Sequence, residues 1–268
     1  MNFLLSLLFA VIAVSPAEET FFRAFNHNPK LRPQAHKQLV GSYARNPSDP
    51  RTTLLLGLTH LWTAAEGDRT NPERIENLLL AKHYLERAEK LDPADQRIAS
   101  WLVPARLALA QIERNGEDRQ RIWAEMLAAY EKDPNFHSFT VALLSYGRPR
   151  GSADFKLGLD ALRATDGCNE TEDVSCGNRP RWPHNQEGFL AFQADYELKS
   201  GNIAQARALL EQVKKNPDYA TFAFPEEIED RLANLEPYAA LYANADAGDD
   251  PPPIINGTMT CQVCHMTK

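Results

Sequence analysis

Five residues near the end of the sequence could do chemistry that nothing else in the chain suggests: Cys261-Gln262-Val263-Cys264-His265. Two thiols stand three positions apart, and an imidazole follows the second. A thiolate is a nucleophile and a soft metal ligand, and neutral imidazole is the commonest nitrogen ligand in proteins. By residue type alone the trio could form a small disulfide, stay reactive, or supply three of the four ligands of a zinc or copper site. The other two cysteines, Cys168 and Cys176, flank a seven-residue acidic stretch, Asn169 to Ser175. Four cysteines can be bridged in three ways. The simplest pairing joins Cys168 to Cys176 and leaves Cys261 and Cys264 for a shared task.

Taken as one pattern, Cys-x-x-Cys-His resembles the attachment signature of c-type cytochromes. The resemblance covers these five residues. It implies one covalent haem c, with thioethers from Cys261 and Cys264 to the haem vinyl groups and His265 as an axial iron ligand. It also implies attachment after export. Cytochrome domains of this kind carry the motif early and a ligand methionine downstream, whereas here little follows. Met266 adjoins His265 and Met259 lies two residues before Cys261, so neither is placed to reach the opposite haem face. A sixth ligand would come from the body, from His27, His36, His60, His83, His137, His184 or Met126.

Composition narrows the partners. Acidic residues outnumber basic ones, 36 against 29, for a formal charge of −7. No basic stripe with interleaved aromatics appears, so nucleic acid is not an expected partner. Phe3 to Val14 form an apolar run, and Ser15-Pro16-Ala17 places small residues at the −3 and −1 positions. That is signal-peptide geometry over residues 1–17, too short for a comfortable membrane span, with cleavage expected after Ala17. No later segment approaches a span length. The expected location is periplasmic or secreted, an oxidising setting that suits a Cys168–Cys176 disulfide.

The elements that must carry the tail read as helices. Gln34 to Ala44, Thr52 to Glu66, Pro72 to Leu91, Asp95 to Arg114 and Asp118 to Lys132 show helical spacing of apolar residues, with Pro104 expected to kink or break the fourth. Phe136 to Tyr146, Ser152 to Ala164, Asn185 to Lys199 and Asn202 to Lys215 follow, and a final helix is expected from Pro225 to about Tyr242. Ala81, Leu85, Ala88 and Pro93 repeat a 4-3-5 spacing that returns as Ile122, Met126, Ala129 and Pro134. Ala206, Leu210 and Val213 keep it, with Pro217 one residue early. This resembles the second helix of a tetratricopeptide repeat, although the unit here is about 41 residues rather than 34. The expected fold class is all-α, a degenerate TPR-like helical-hairpin array, or α-solenoid, with a short irregular C-terminal tail.

The array should cover residues 18–242, interrupted by a disulfide-pinned loop at 165–184 whose Arg179, Arg181 and Trp182 either form a binding lip or pack back on the helices. Residues 243–253, acidic and then triple-proline, read as a semi-rigid linker to the tail at 254–268. The expected function is an exported monohaem c-type protein whose scaffold presents the haem for electron transfer or redox sensing. The alternative is a haem-free interaction scaffold in which the Cys-x-x-Cys is a disulfide or a non-haem metal site. The expected partner is a protein, either a redox partner or a peptide on the concave helical face. No phosphate loop, nucleophile elbow or paired-histidine protease motif is present to point to an enzyme.

Overall fold

The computed structural model describes residues 15–26, 28–66, 72–164, 185–217, 219–222, 224–244 and 249–254. Twelve α-helices and no β-strand occur among them. They pair in chain order: α1 (Pro16–Asn26) with α2 (Arg32–Arg45), α3 (Pro50–Glu66) with α4 (Pro72–Leu91), and α5 (Gln96–Ile112) with α6 (Gly116–Lys132). Next come α7 (Pro134–Ser145) with α8 (Ala153–Ala164) and α9 (Asn185–Ser200) with α10 (Ile203–Lys214). Two short helices, α11 (Pro225–Ala233) and α12 (Leu235–Ala243), close the series against α9 and α10. Each hairpin leans on the next, and α1, α3, α5 and α7 also touch in sequence. The chain is an all-α helical-hairpin array.

Local chemistry sets the helix starts. Pro16, Pro50, Pro72, Pro134 and Pro225 each open a helix, where the missing proline N–H costs no bond. Side-chain oxygens cap others: Asn115 accepts the Asp118 N–H at 3.1 Å, and Ser152 accepts the Phe155 N–H at 3.2 Å. Ser15 accepts the Glu18 N–H at 3.2 Å, so α1 begins ahead of the expected cleavage point, and Ala17 in its first turn is buried.

The repeated apolar positions go inward. Ala81, Leu85, Ala88, Met126, Ala206, Leu210 and Val213 are all fully buried. At Gly57 the α3 backbone comes so close to α4 that an added Cβ would sit 2.7 Å from Leu85 Cγ. The absent side chain is what lets the two helices meet.

One expectation is narrowed and one is corrected. Of the kink or break expected at Pro104, the break does not occur: α5 runs on through it, with Leu102, Val103 and Ala105 on either side packed into the core. The final segment is two helices, parted at Asn234. Pro237 explains the break: its ring would clash with the carbonyl four residues back, so it fits a first turn but not an interior. Asn234 lies at φ −122°, ψ 30°, and its Nδ2 donates to the Asp230 carbonyl at 3.0 Å, closing α11.

Candidate functional site

Cys261, Cys264 and His265 lie outside the described residues, as do Cys168 and Cys176. The segment that leads to the motif is described as far as Ile254, and it is bound to the helical body at almost every residue. Lys199 Nζ holds the Asp250 carboxylate at 2.8 Å. The Tyr242 hydroxyl donates to the Pro251 carbonyl at 3.3 Å, and Arg231 Nη2 donates to the Pro252 carbonyl at 2.7 Å. The Ile254 N–H donates to Asp195 Oδ2 at 2.6 Å, while the Ile254 side chain joins the largest core cluster. The described part of the expected linker is thus a docked strap. Cys261 follows seven residues later, so it lies at most about 25 Å from Ile254.

The strap lies against α9, the helix most fully enclosed by its neighbours: Glu187 through Lys199 are all buried. Apolar residues on several sides, among them Phe189, Phe192, Tyr196 and Leu198, require that enclosure. Gly158 of α8 makes room, since a Cβ there would lie 2.5 Å from the Tyr196 hydroxyl. Charges buried with the helix are matched. Arg163 grips Glu197 with two bonds of 2.7 Å. Arg231 Nε lies 3.1 Å from Asp195 Oδ1, off the line of a good hydrogen bond. Lys199 Nζ donates to the Tyr146 carbonyl at 3.2 Å and sits over the rings of Tyr146, Phe155 and Tyr242 at 5.2–5.7 Å.

Burial dominates the electrostatics here. It pushes the Asp195 carboxyl up to about 6, against the attraction of Arg231 and the Ile254 N–H. It also raises Tyr146, Tyr196 and Tyr242, so these hydroxyls stay protonated donors. Arg231 is held charged because Asp195 and the surrounding tyrosine oxygens outweigh its own desolvation.

The candidate axial ligands divide into two kinds. His36, His60 and His83 gather around Tyr84: His36 meets His60 edge-on at 5.0 Å between ring centroids, His60 stacks on Tyr84 at 5.6 Å, and His83 meets Tyr84 at 5.2 Å. Asn77 Nδ2 donates to the Glu73 carbonyl at 2.8 Å, which turns its oxygen toward His60 Nδ1 at 2.9 Å. With an oxygen facing it, Nδ1 is the donor in that contact. Desolvation, then the neighbouring His60, lowers the His36 pKa and favours its neutral form. His137 and Met126, by contrast, are interior. His137 Nδ1 bonds the Ser100 hydroxyl, burial lowers its pKa against the pull of Asp133, and Met126 belongs to the core shared by α5 to α8. His27 and His184 lie outside the described residues. Among the described residues no three His, Cys, Asp or Glu side chains gather as a metal site, and no helix is long and apolar enough to cross a membrane.

Sequence reasoning missed Asp195, Lys199, Arg231 and Tyr242. One signal was present: Asp195 and Lys199 stand four apart in a helix that is otherwise apolar on several faces, a spacing that places both on one side. No protein-family model, curated protein or solved structure matches the chain.

Proposed function

We propose that this is an exported protein carrying one covalent haem on its C-terminal tail, with the helical array as the body that holds and presents it for electron transfer or redox sensing. The observation that carries the reading is Cys261-Gln262-Val263-Cys264-His265, a short step beyond a strap tied to the core at Ile254. The donor set fits the group. Two thiols at this spacing suit thioether links to the two vinyl substituents, and an adjacent neutral imidazole suits iron. Bound haem would supply a one-electron couple. Cleavage after Ala17 would leave Phe21 and Ala24 of α1 in the core and keep the Glu18–Arg51 pair at 2.8 Å. Among the described ligand candidates, His36, His60 and His83 keep some solvent exposure, whereas His137 and Met126 are enclosed and already packed. A histidine in the first group is therefore the better second ligand, from this chain or another copy.

The test is expression in a host able to attach c-type haem, followed by haem staining and mass analysis of the C-terminal peptide. A haem adduct lost in Cys261→Ala/Cys264→Ala supports the reading, and an unmodified native peptide refutes it. A second reading, an interaction scaffold with no haem, is favoured by the exposed apolar side chains of Val40 on α2 and of Ile75 and Leu79, one turn apart on α4. A colourless, disulfide-bonded protein that binds a partner through Leu79, and loses it in Leu79→Asp, would favour that alternative. Metal analysis of the colourless protein separates out a zinc or copper tail.

A further inference from the structure

The strap from Asp250 to Ile254 is recognised one backbone group at a time, and the residues that do so are costly to bury for any other purpose. Three consecutive prolines leave this stretch without amide donors until Ile254, so carbonyls alone are available at Pro251 and Pro252. Those two carbonyls are met by donors, from Tyr242 and Arg231. The first N–H to reappear, at Ile254, is met by an acceptor, Asp195. The acidic side chain ahead of the prolines is met by the buried ammonium of Lys199. Asp195 and Lys199 thus set opposite charges four residues apart on α9, matched to opposite polarity four residues apart on the strap.

We infer that α9, α11 and α12 form a recognition slot for an acidic, proline-rich segment, filled here by the chain's own strap, and that Asp195 and Arg231 are positioning residues that fix where the C-terminal tail leaves the body. Proline restricts the free strap to extended conformations, so little order is lost on docking. A carboxylate and a guanidinium buried together are weak sources of stability compared with apolar residues of the same size, but they discriminate well between a matched and a mismatched backbone. The slot concerns the same tail as the haem reading, yet requires no haem. Covalent haem on the terminal peptide reports one and strap docking reports the other, so either can fail alone.

The experiment is amide hydrogen exchange on the full chain labelled with 15N-isoleucine, with Ile254 reporting the strap and Ile122 of α6 the body. In the wild type Ile254 should be protected. In Asp195→Leu/Arg231→Leu, which removes both charges together, Ile254 should exchange about a hundredfold faster while Ile122 is unchanged. If Ile254 stays as protected as in the wild type, burial of Pro251 and Ile254 holds the strap and the inference is overturned. Should the double variant fail to fold, Asp250→Ala and Pro252→Gly change the strap and no residue of the helices. About tenfold faster exchange at Ile254 in each supports the slot, and unchanged exchange in both overturns it.

Discussion

The helices before Pro134 and those after it solve the same packing problem in different ways. The first six are joined by small apolar clusters between chain neighbours, such as Leu54, Leu85, Ala88, Ile98 and Leu102. Their charges lie outside, as where Arg106 links Glu86 and Glu125 at 3.1 and 3.0 Å. The later helices share one large core around α9, and there charges are interior and paired over long stretches of chain. A stack held by neighbours needs a periodic sequence. A core built around one enclosed helix needs partners that arrive from elsewhere, here from α11, α12 and a strap that follows them.

The sharpest way to break that contrast is to unbalance the later core. Asp195→Ala should cost about 3–5 kcal/mol in chemical denaturation, because Arg231 and the Ile254 N–H are left buried without the carboxylate. A loss below about 1 kcal/mol would mean the pair is solvated and the two regions are alike. The earlier region should respond to cavities instead. Met126→Ala, at a fully buried site, should cost about 3 kcal/mol and lower the thermal midpoint without changing Ile254 exchange.

Glycines sharpen the comparison on a smaller scale. Gly158→Ala would drive a Cβ to 1.9 Å from Ser145 Oγ and 2.5 Å from Tyr196 Oη, both hydrogen-bonded. Gly57→Ala meets the buried Leu85, 2.7 Å from its Cγ and 3.3 Å from its backbone nitrogen, a contact with no hydrogen bond at stake. Each should destabilise by about 1–3 kcal/mol, with Gly158 the worse of the two.

The pH response is smaller and its sign is specific. Asp195 ionises near 6 when folded, above its ordinary value of 3.8, so the folded state holds a proton that the unfolded chain releases. Its contribution is complete below about 4 and is lost as pH rises through about 6. The groups facing it do not titrate there: Arg231 from α11 stays charged, and Tyr146, Tyr238 and Tyr242 stay neutral. The stability gap between wild type and Asp195→Asn, followed by urea unfolding, should widen from pH 7 to pH 5. A constant gap would show that Arg231 keeps Asp195 ionised throughout. Smallest of all, Lys82→Ala removes an exposed i,i+4 pair with Glu86 and should change stability by less than about 0.5 kcal/mol.

Reading the chain residue by residue recovers the earlier region better than the later one. Ala81, Leu85 and Ala88, or Ile122 and Met126, announce their burial through spacing alone. The split at Asn234 was within reach, since Pro237 is plain in the sequence, but the apolar run across it hid the break. Pro104 left a kink or a break open, and the packed neighbours Leu102, Val103 and Ala105 keep α5 continuous. At the site, Cys261, Cys264 and His265 are legible as a motif because attachment chemistry depends on close spacing. The slot residues carry no such local mark, as Asp195 and Ile254 are 59 residues apart.

The amino-acid sequence by itself determined that this protein is a succession of helical hairpins, and nearly where the helices from α2 to α10 lie; α1 carried no such mark. Helical hydrogen bonds join residues four apart, and a period of 3.6 sorts apolar from polar within a single segment. Tertiary structure alone decided which charged residues are interior and that the proline-rich stretch is docked. The free energy of a buried charge depends on what surrounds it, and those surroundings come from distant parts of the chain.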